Sequence, residues 1–441
     1  MSEAGTTEAT MDAPPRLDVD RLLDDRQTRI IVCCGAGGVG KTTTAAALGV
    51  RAAERGRKVV VLTIDPARRL AQSMGIDSLD NTPRRVPGVR AADGGELHAM
   101  MLDMKRTFDE IVEGHSDPER AQAILANPFY QSLSAGFAGT QEYMAMEKLG
   151  QLRARDDWDL IVVDTPPSRS ALDFLDAPGR LGSFLDGKFI RVLMAPAKVG
   201  GRAGMKFLNV GMSMMTGTLS KLMGASLLKD VQTFVAAMDT MFGGFRTRAD
   251  ATFQLLQAPG TAFLVVSAPE PDALREAAYF VERLAAERMP LAGLVLNRVH
   301  GSGAEQLSAE RALAAAENLE EGGIVDQESG KAGLRDSTET ATETDPDTHP
   351  RTERETGADP VDTGADAGTD ADVDVITAGL LRLHAECMQV IAREQRTRDR
   401  FTSLHPEVAV AQVAALPGDV HDLAGLRAIG ERLATGVPAG A

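Results

Sequence analysis

Three cysteines in 441 residues (Cys33, Cys34 and Cys387) form no C-x-x-C pair, which leaves neither a structural zinc site nor a disulfide framework to read. The first residues, with Glu3, Glu8 and Asp12 ahead of Pro14-Pro15, lack the basic-then-apolar order of a secretory signal. The longest uncharged runs, such as 251–269, carry Gln, Pro and Gly and do not read as membrane spans, so no stable membrane insertion is expected. A basic stripe is missing too. The net charge is −16, and without cations to displace phosphate counterions, nucleic acid is not an expected partner. A reducing cytoplasm is the expected address.

The acidity is unevenly placed, because residues 325–375 hold 15 acidic and 4 basic side chains. That stretch is rich in Thr, Asp, Glu and Gly and has almost no large apolar groups, so it cannot offset the entropy of ordering. Residues 303–375 are therefore expected to be a largely disordered acidic insert, a solvated spacer or a docking tail, with helical spacing only over 305–319. Residues 1–27 are expected to be a flexible tail.

The remainder, 28–302 plus 376–437, reads as one large α/β domain. Apolar residues make up 43% of the chain, enough for a sizeable core. Short, continuous apolar runs at 29–34, 58–64, 97–103, 159–164, 261–267, 292–297 and 408–414 alternate with helical stretches, the pattern of a mostly parallel sheet covered by helices on both faces. Residues 272–288 place Ala273, Leu274, Ala277, Phe280, Val281 and Leu284 at helical spacing behind a Pro271-Asp272 start signal.

Between the first strand and the helix beginning at Thr43 lies Gly35-Ala36-Gly37-Gly38-Val39-Gly40-Lys41-Thr42. Glycines let successive backbone N–H groups turn inward around a phosphate, and the helix N-terminus adds its positive end. Lys41 can reach the outer phosphates and the Thr42 hydroxyl can ligate Mg²⁺. Gly35, Gly37, Gly38, Val39, Gly40, Lys41, Thr42 and Thr43 are the candidate cofactor-binding residues, with ATP and Mg²⁺ as cofactors.

Two carboxylates belong to the same crevice. Asp65 follows the second strand, within Asp65-Pro66-Ala67-Arg68-Arg69, and Asp164 ends the fourth, before Thr165-Pro166-Pro167-Ser168. Phosphoryl transfer to water needs a placed metal and an oriented water more than covalent help. Asp164 suits the metal together with Thr42, and Asp65 suits the water, so Asp65 and Lys41 are the catalytic candidates.

With these segments the chain resembles the deviant-Walker P-loop ATPases of the arsenite-efflux and tail-anchored-protein-targeting family. Leu294-Val295-Leu296-Asn297-Arg298 and Leu416-Pro417-Gly418-Asp419-Val420-His421-Asp422-Leu423 are similar to that family's adenine-side elements. The resemblance covers about 29–300 and 376–436. It implies an ATPase that dimerises across its nucleotides, with Asn297 and Pro417 around adenine, a first switch from Asp65 to about Leu70 and a second from Asp164 to about Arg169.

Ala36 departs from the family, whose members usually carry Lys there to reach the opposing subunit's site. Three readings stay open: a heterodimer with a related ATPase that supplies the missing Lys, a substitute among Arg68, Arg69 and Arg169, or a slow switch. A homodimer fits the last two. The zinc-binding Cys pair and the metalloid-sensing cysteines of the family have no counterpart, which disfavours arsenite handling.

The segment about 180–250 holds Met194, Met205, Met212, Met214, Met215, Met223, Met238 and Met241. Methionine adapts to varied apolar partners. The resemblance implies an inserted helical subdomain offering a groove to a hydrophobic or membrane-protein client; an ordinary helical core is the other reading. The expected function is an ATP-hydrolysing switch that opens and closes such a surface. The competing class is a Min- or Par-like ATPase whose nucleotide controls assembly on a surface.

Overall fold

The computed structural model describes residues 15–65, 69–90, 94–134, 140–166, 247–328 and 367–436. They divide into two compact units, the described residues of 15–299 with 394–436 and those of 300–393.

The first unit is built on eight strands: β1 Ile30–Cys34, β2 Lys58–Thr63, β3 Arg84–Arg85, β4 Glu96–Met101, β5 Leu160–Asp164, β6 Thr261–Ser267, β7 Leu291–Val299 and β8 Val410–Ala414. Their order across the sheet is β3-β4-β2-β5-β1-β6-β7-β8. All neighbours run parallel except β3 with β4, a two-residue antiparallel edge. This is the α/β fold of a P-loop NTPase.

Every residue of β1, β5 and β6 is buried, as a strand covered on both faces requires. Side chains alternate between two cores. Ile30, Val32 and Cys34 point to one, with Phe108, Tyr130, Tyr143 and Phe280; Ile31 and Cys33 point to the other, with Ala45, Ala46, Leu48 and Leu426. Burying each large aliphatic side chain stabilises the fold by about 1.5–3 kcal/mol.

The helices of this unit are α1 Val19–Asp24, α2 Lys41–Glu54, α3 Arg69–Ser73, α4 Met104–His115, α5 Pro118–Leu125, α6 Pro128–Ser134, α7 Thr140–Arg155, α8 over 247–257, α9 Pro271–Ala286 and α12 Leu423–Thr435. On α2 the small residues Ala45, Ala46, Ala47, Ala52 and Ala53 are all buried, which lets the helix lie close on the sheet. It also packs against α12, so the chain's last helix covers its first phosphate-side helix.

The second unit contains α10 Ala309–Glu328 and most of α11 Ala367–Leu404. An ion pair of 2.5 Å joins Arg382 to Glu320, and the His384 ring Nε2 lies 2.8 Å from the Leu307 carbonyl. Residues Asp372–Leu404 hold a window of mean hydropathy 1.3, long and apolar enough to cross a bilayer by composition alone.

Three expectations about organisation need correction. Residues 15–24 are not a flexible tail: Val410 donates its N–H to Pro15 O (2.8 Å), Leu17 donates to Val410 O (3.1 Å), and Asp18 caps α1 by accepting from the Arg21 N–H. Leu17, Val19 and Leu23 are buried, and Arg51 grips Asp20 through two hydrogen bonds. A helix of six residues is too short to show periodicity and forms because tertiary contacts hold it.

Within the stretch 303–375, α10 covers the expected helical part and runs on to Glu328, and 367–375, expected to be disordered, is helical too; 329–366 lie outside the described residues. Residues 376–393 also group with this second unit rather than with the ATPase domain. Composition predicts coil for an acidic run, yet a long helix propagates into polar sequence once nucleated. The expected Met-rich subdomain up to residue 246, the Arg68 and Arg169 candidates and the rest of the second switch beyond Pro166 lie outside the described residues.

Candidate functional site

Every candidate residue lies at the C-terminal edge of the parallel sheet: the Gly-rich loop after β1, Asp65 after β2, Asp164 ending β5, Asn297 near the end of β7 and Pro417 after β8. Parallel strands point their C-terminal ends into one crevice.

The loop's shape is dictated by close approaches. At Gly35, with φ +147°, an added Cβ would sit 2.0 Å from the Val266 carbonyl oxygen of β6. Gly40 is the N-cap of α2 with φ +95°, and a Cβ there would meet Asn297 Nδ2 at 2.2 Å. Only glycine satisfies both the left-handed backbone and the missing space. Gly38 also has positive φ, with open space where a side chain would go. Asn297 then locks the loop, its Nδ2 donating to Val39 O at 2.9 Å. The residue expected beside adenine is thus also a brace on the phosphate-binding loop.

Lys41 opens α2 and is buried; its Nζ donates to the Ala36 carbonyl at 2.7 Å. Burial lowers its pKa, opposed by the charges of Asp164 and Asp65. The Ala36 methyl is buried in the core, so the loop presents no cation at that position.

Asp164 is fully buried. Its Oδ2 accepts from Thr42 Oγ1 at 2.7 Å and from Thr63 Oγ1 at 2.8 Å, while its Oδ1 has no hydrogen-bond partner. Burial pushes its carboxyl up to about 6, against the hydrogen bonds from Thr42 and Thr63 and the charge of Lys41. An unpartnered carboxylate oxygen in a dry site is costly unless a cation or water satisfies it. With the Thr42 hydroxyl beside it, this is an oxygen donor set of the kind Mg²⁺ takes, completed by phosphate oxygens and water. Among the described residues there is no group of three or more His, Cys, Asp or Glu that could hold a metal ion by itself.

Asp65 is half-buried, and Thr63 Oγ1 lies 3.4 Å from its backbone carbonyl. The structure therefore draws Lys41, Thr42, Asp164 and Asp65 into one electrostatic neighbourhood, and Asn297 onto the loop behind it. Pro417 is exposed in the turn after β8. Thr43 is half-buried in the first turn of α2, and Arg69 is exposed at the start of α3.

Sequence reasoning missed Thr63. It reads only as a residue inside the apolar run 58–64; the register that pairs Thr63 with Asp164 across β2 and β5 makes it a partner of the carboxylate. Thr165 has no separate expected role within its motif, and its hydroxyl donates to the Cys33 carbonyl at 2.9 Å, pinning the residue after β5 to β1. Cys33 and Cys34 are buried, and burial raises both thiol pKa values, that of Cys34 to about 12. They are inert core side chains.

The family model described as Anion-transporting ATPase matches residues 28–321. Among curated relatives, an "ATPase GET3" of Podospora anserina is 26% identical over 299 residues, 66% of this chain and 80% of that protein. An "ATPase GET3" of Malassezia globosa is 32% identical over 177 residues, 40% of this chain and 50% of the relative. An "ATPase ASNA1 homolog" of Entamoeba dispar is 28% identical over 182 residues, 40% of this chain and 54% of the relative. The matched span begins just before β1 and carries the loop, Asp65, Asp164 and Asn297, and with well over half of its length under that model the chain belongs to the Anion-transporting ATPase family and is an ATPase.

Proposed function

We propose that this chain is a dimerising molecular switch that binds Mg·ATP at the Gly35–Thr43 loop and couples its hydrolysis to the opening and closing of an apolar surface. One observation carries the reading: two hydroxyls, Thr42 and Thr63, converge on one oxygen of a buried Asp164 whose other oxygen is unpartnered, beside a buried lysine at a helix N-terminus. Such a site is built for a polyphosphate and its cation.

In this reading the backbone N–H groups of Gly35, Gly37, Gly38, Val39, Gly40, Lys41, Thr42 and Thr43 cradle the phosphates. Lys41 exchanges the Ala36 carbonyl for the outer phosphates, Thr42 and Asp164 hold Mg²⁺, and Asn297 and Pro417 flank adenine. Bound magnesium supplies the positive charge that phosphoryl transfer demands. Asp65 orients the attacking water.

The loop itself brings no second cation, because Ala36 is buried and apolar. We assign that role to a related ATPase carrying Lys at this position, in a heterodimer, with a homodimer using an arginine of the first or second switch as the alternative. The Met-rich segment 180–250 is the proposed docking surface for a hydrophobic or membrane-protein client in the cytoplasm.

The test is phosphate release by the purified chain with Mg·ATP, alone and after addition of a family member that carries the lysine, alongside calorimetric titration with ATP. Absence of ATP binding rejects the whole reading. Full turnover by the chain alone rejects obligate pairing.

A further inference from the structure

The second unit carries a surface that the nucleotide site does not use. Val373, Ile376, Leu380, Leu383 and Val390 of α11 are each at least 38% exposed, and Cys387 lies in line with them, half-buried. Their spacing alternates three and four residues from 373 to 390, the a/d pattern of a coiled-coil seam. The opposite side of the same helix is already used: Ala378 and Ala385 are buried.

We propose that this seam pairs two copies of the chain, antiparallel, about a two-fold axis between Leu380 and Leu383. The seam reads nearly the same in both directions, so a two-fold operation sets Val373 against the second copy's Val390, Ile376 against its Cys387 and Leu380 against its Leu383. Each layer then has similar volume.

Charge favours the same arrangement. Antiparallel pairing brings Asp372, beside the first layer, toward the second copy's Arg393 beyond the last, once at each end. Parallel pairing would instead place Asp372 and Asp374 of each copy beside the same residues of the other. A membrane-spanning role fits less well, because Asp374, Arg382 and Glu386 lie within the apolar stretch and a charge at membrane depth costs about 2.5–3.5 kcal/mol.

This contact is independent of nucleotide, so its test is run without ATP. In an Ile376→Cys variant of the full chain, the new thiol faces the second copy's Cys387. Within one chain the two are about 16 Å apart along the helix and cannot bond. Cys33 and Cys34 are buried and do not compete. Mild oxidation is expected to give about tenfold more disulfide-linked dimer from Ile376→Cys than from the unaltered chain, because pairing raises the local thiol concentration into the millimolar range. Adding Leu380→Asp and Leu383→Asp should abolish that dimer.

Equal cross-linking by the unaltered chain, through Cys387 on both copies, would overturn the antiparallel arrangement. A dimer that survives the two aspartates, or no dimer in any variant, would overturn the seam itself. Co-flotation with phosphatidylcholine–phosphatidylglycerol vesicles, with loss of the cross-link, would assign the face to lipid and overturn the proposal.

Discussion

The Lys41 ammonium lies 2.7 Å from the carbonyl oxygen of Ala36, so the loop's own cation is held by the backbone of the loop's second residue. That bond is a resting contact that a phosphate oxygen, being anionic, can outcompete. Replacing Lys41 by Met should weaken ATP binding about 10–100-fold, the worth of a charge-assisted hydrogen bond. Calorimetry measures it, and an unchanged affinity removes Lys41 from the phosphate site.

Asp65 shares the electrostatic environment of Lys41 and Asp164 but is not buried like them. Asp65→Asn preserves shape and loses the basic oxygen. ATP affinity should stay within a few-fold of the parent while turnover falls about 10²–10⁴-fold, the usual contribution of a positioned acid–base group. Parent-like phosphate release would end the water-orienting role.

Gly40 and Asn297 should be energetically coupled, since a Cβ on the first would overlap the amide of the second at 2.2 Å. Gly40→Ala is expected to lose about 1–3 kcal/mol of stability from backbone strain together with that clash. In an Asn297→Ala background the clash disappears and the strain remains. Urea unfolding of the four proteins in the cycle should therefore give a coupling of about 0.5–3 kcal/mol. Strict additivity would mean that the two residues do not meet.

The α1 clamp predicts a pH dependence. A hydrogen bond from Arg51 holds the Asp20 carboxyl below its usual range, helped by the charges of Arg51 and Arg55 and opposed by partial burial. A carboxyl depressed in the folded state contributes stability above its ordinary pKa and loses it as pH falls through the folded value. Asp20→Asn should cost about 0.5–1 kcal/mol near neutrality, and the difference from the parent should start to shrink only as pH drops below about 4 and vanish once pH is below the depressed folded-state value. Parallel stability curves across that range would show that the pair contributes nothing.

The strands were legible because parallel strands under two helical layers must be continuously apolar: the runs at 58–64, 159–164 and 261–267 became β2, β5 and β6 within a residue or so. Their type follows from local composition. The edge strand β3 is an exposed Arg-Arg pair with no pattern to find, and α1 is too short to have one. Arg57 illustrates the limit from the other side. A sequence reading leaves an arginine at a strand entrance in solvent, yet this one is buried, its guanidinium donating to the carbonyls of Leu23, Asp25, Thr28 and Asp159, while burial lowers its pKa to about 10. Four carbonyls from two distant stretches, 23–28 and Asp159, converge on it only once the sheet has formed.

What the amino-acid order determined alone was local: a Gly-rich turn with lysine and threonine at a helix start, and a carboxylate at the end of an apolar run, because backbone freedom, capping and burial act over a few residues. What only the tertiary structure decided was convergence. Thr42, Thr63 and Asp164 are separated by up to 122 positions and meet within 2.8 Å because parallel register aligns the ends of β1, β2 and β5. Register is a property of the whole sheet, set by how its two cores pack, and no single segment carries it.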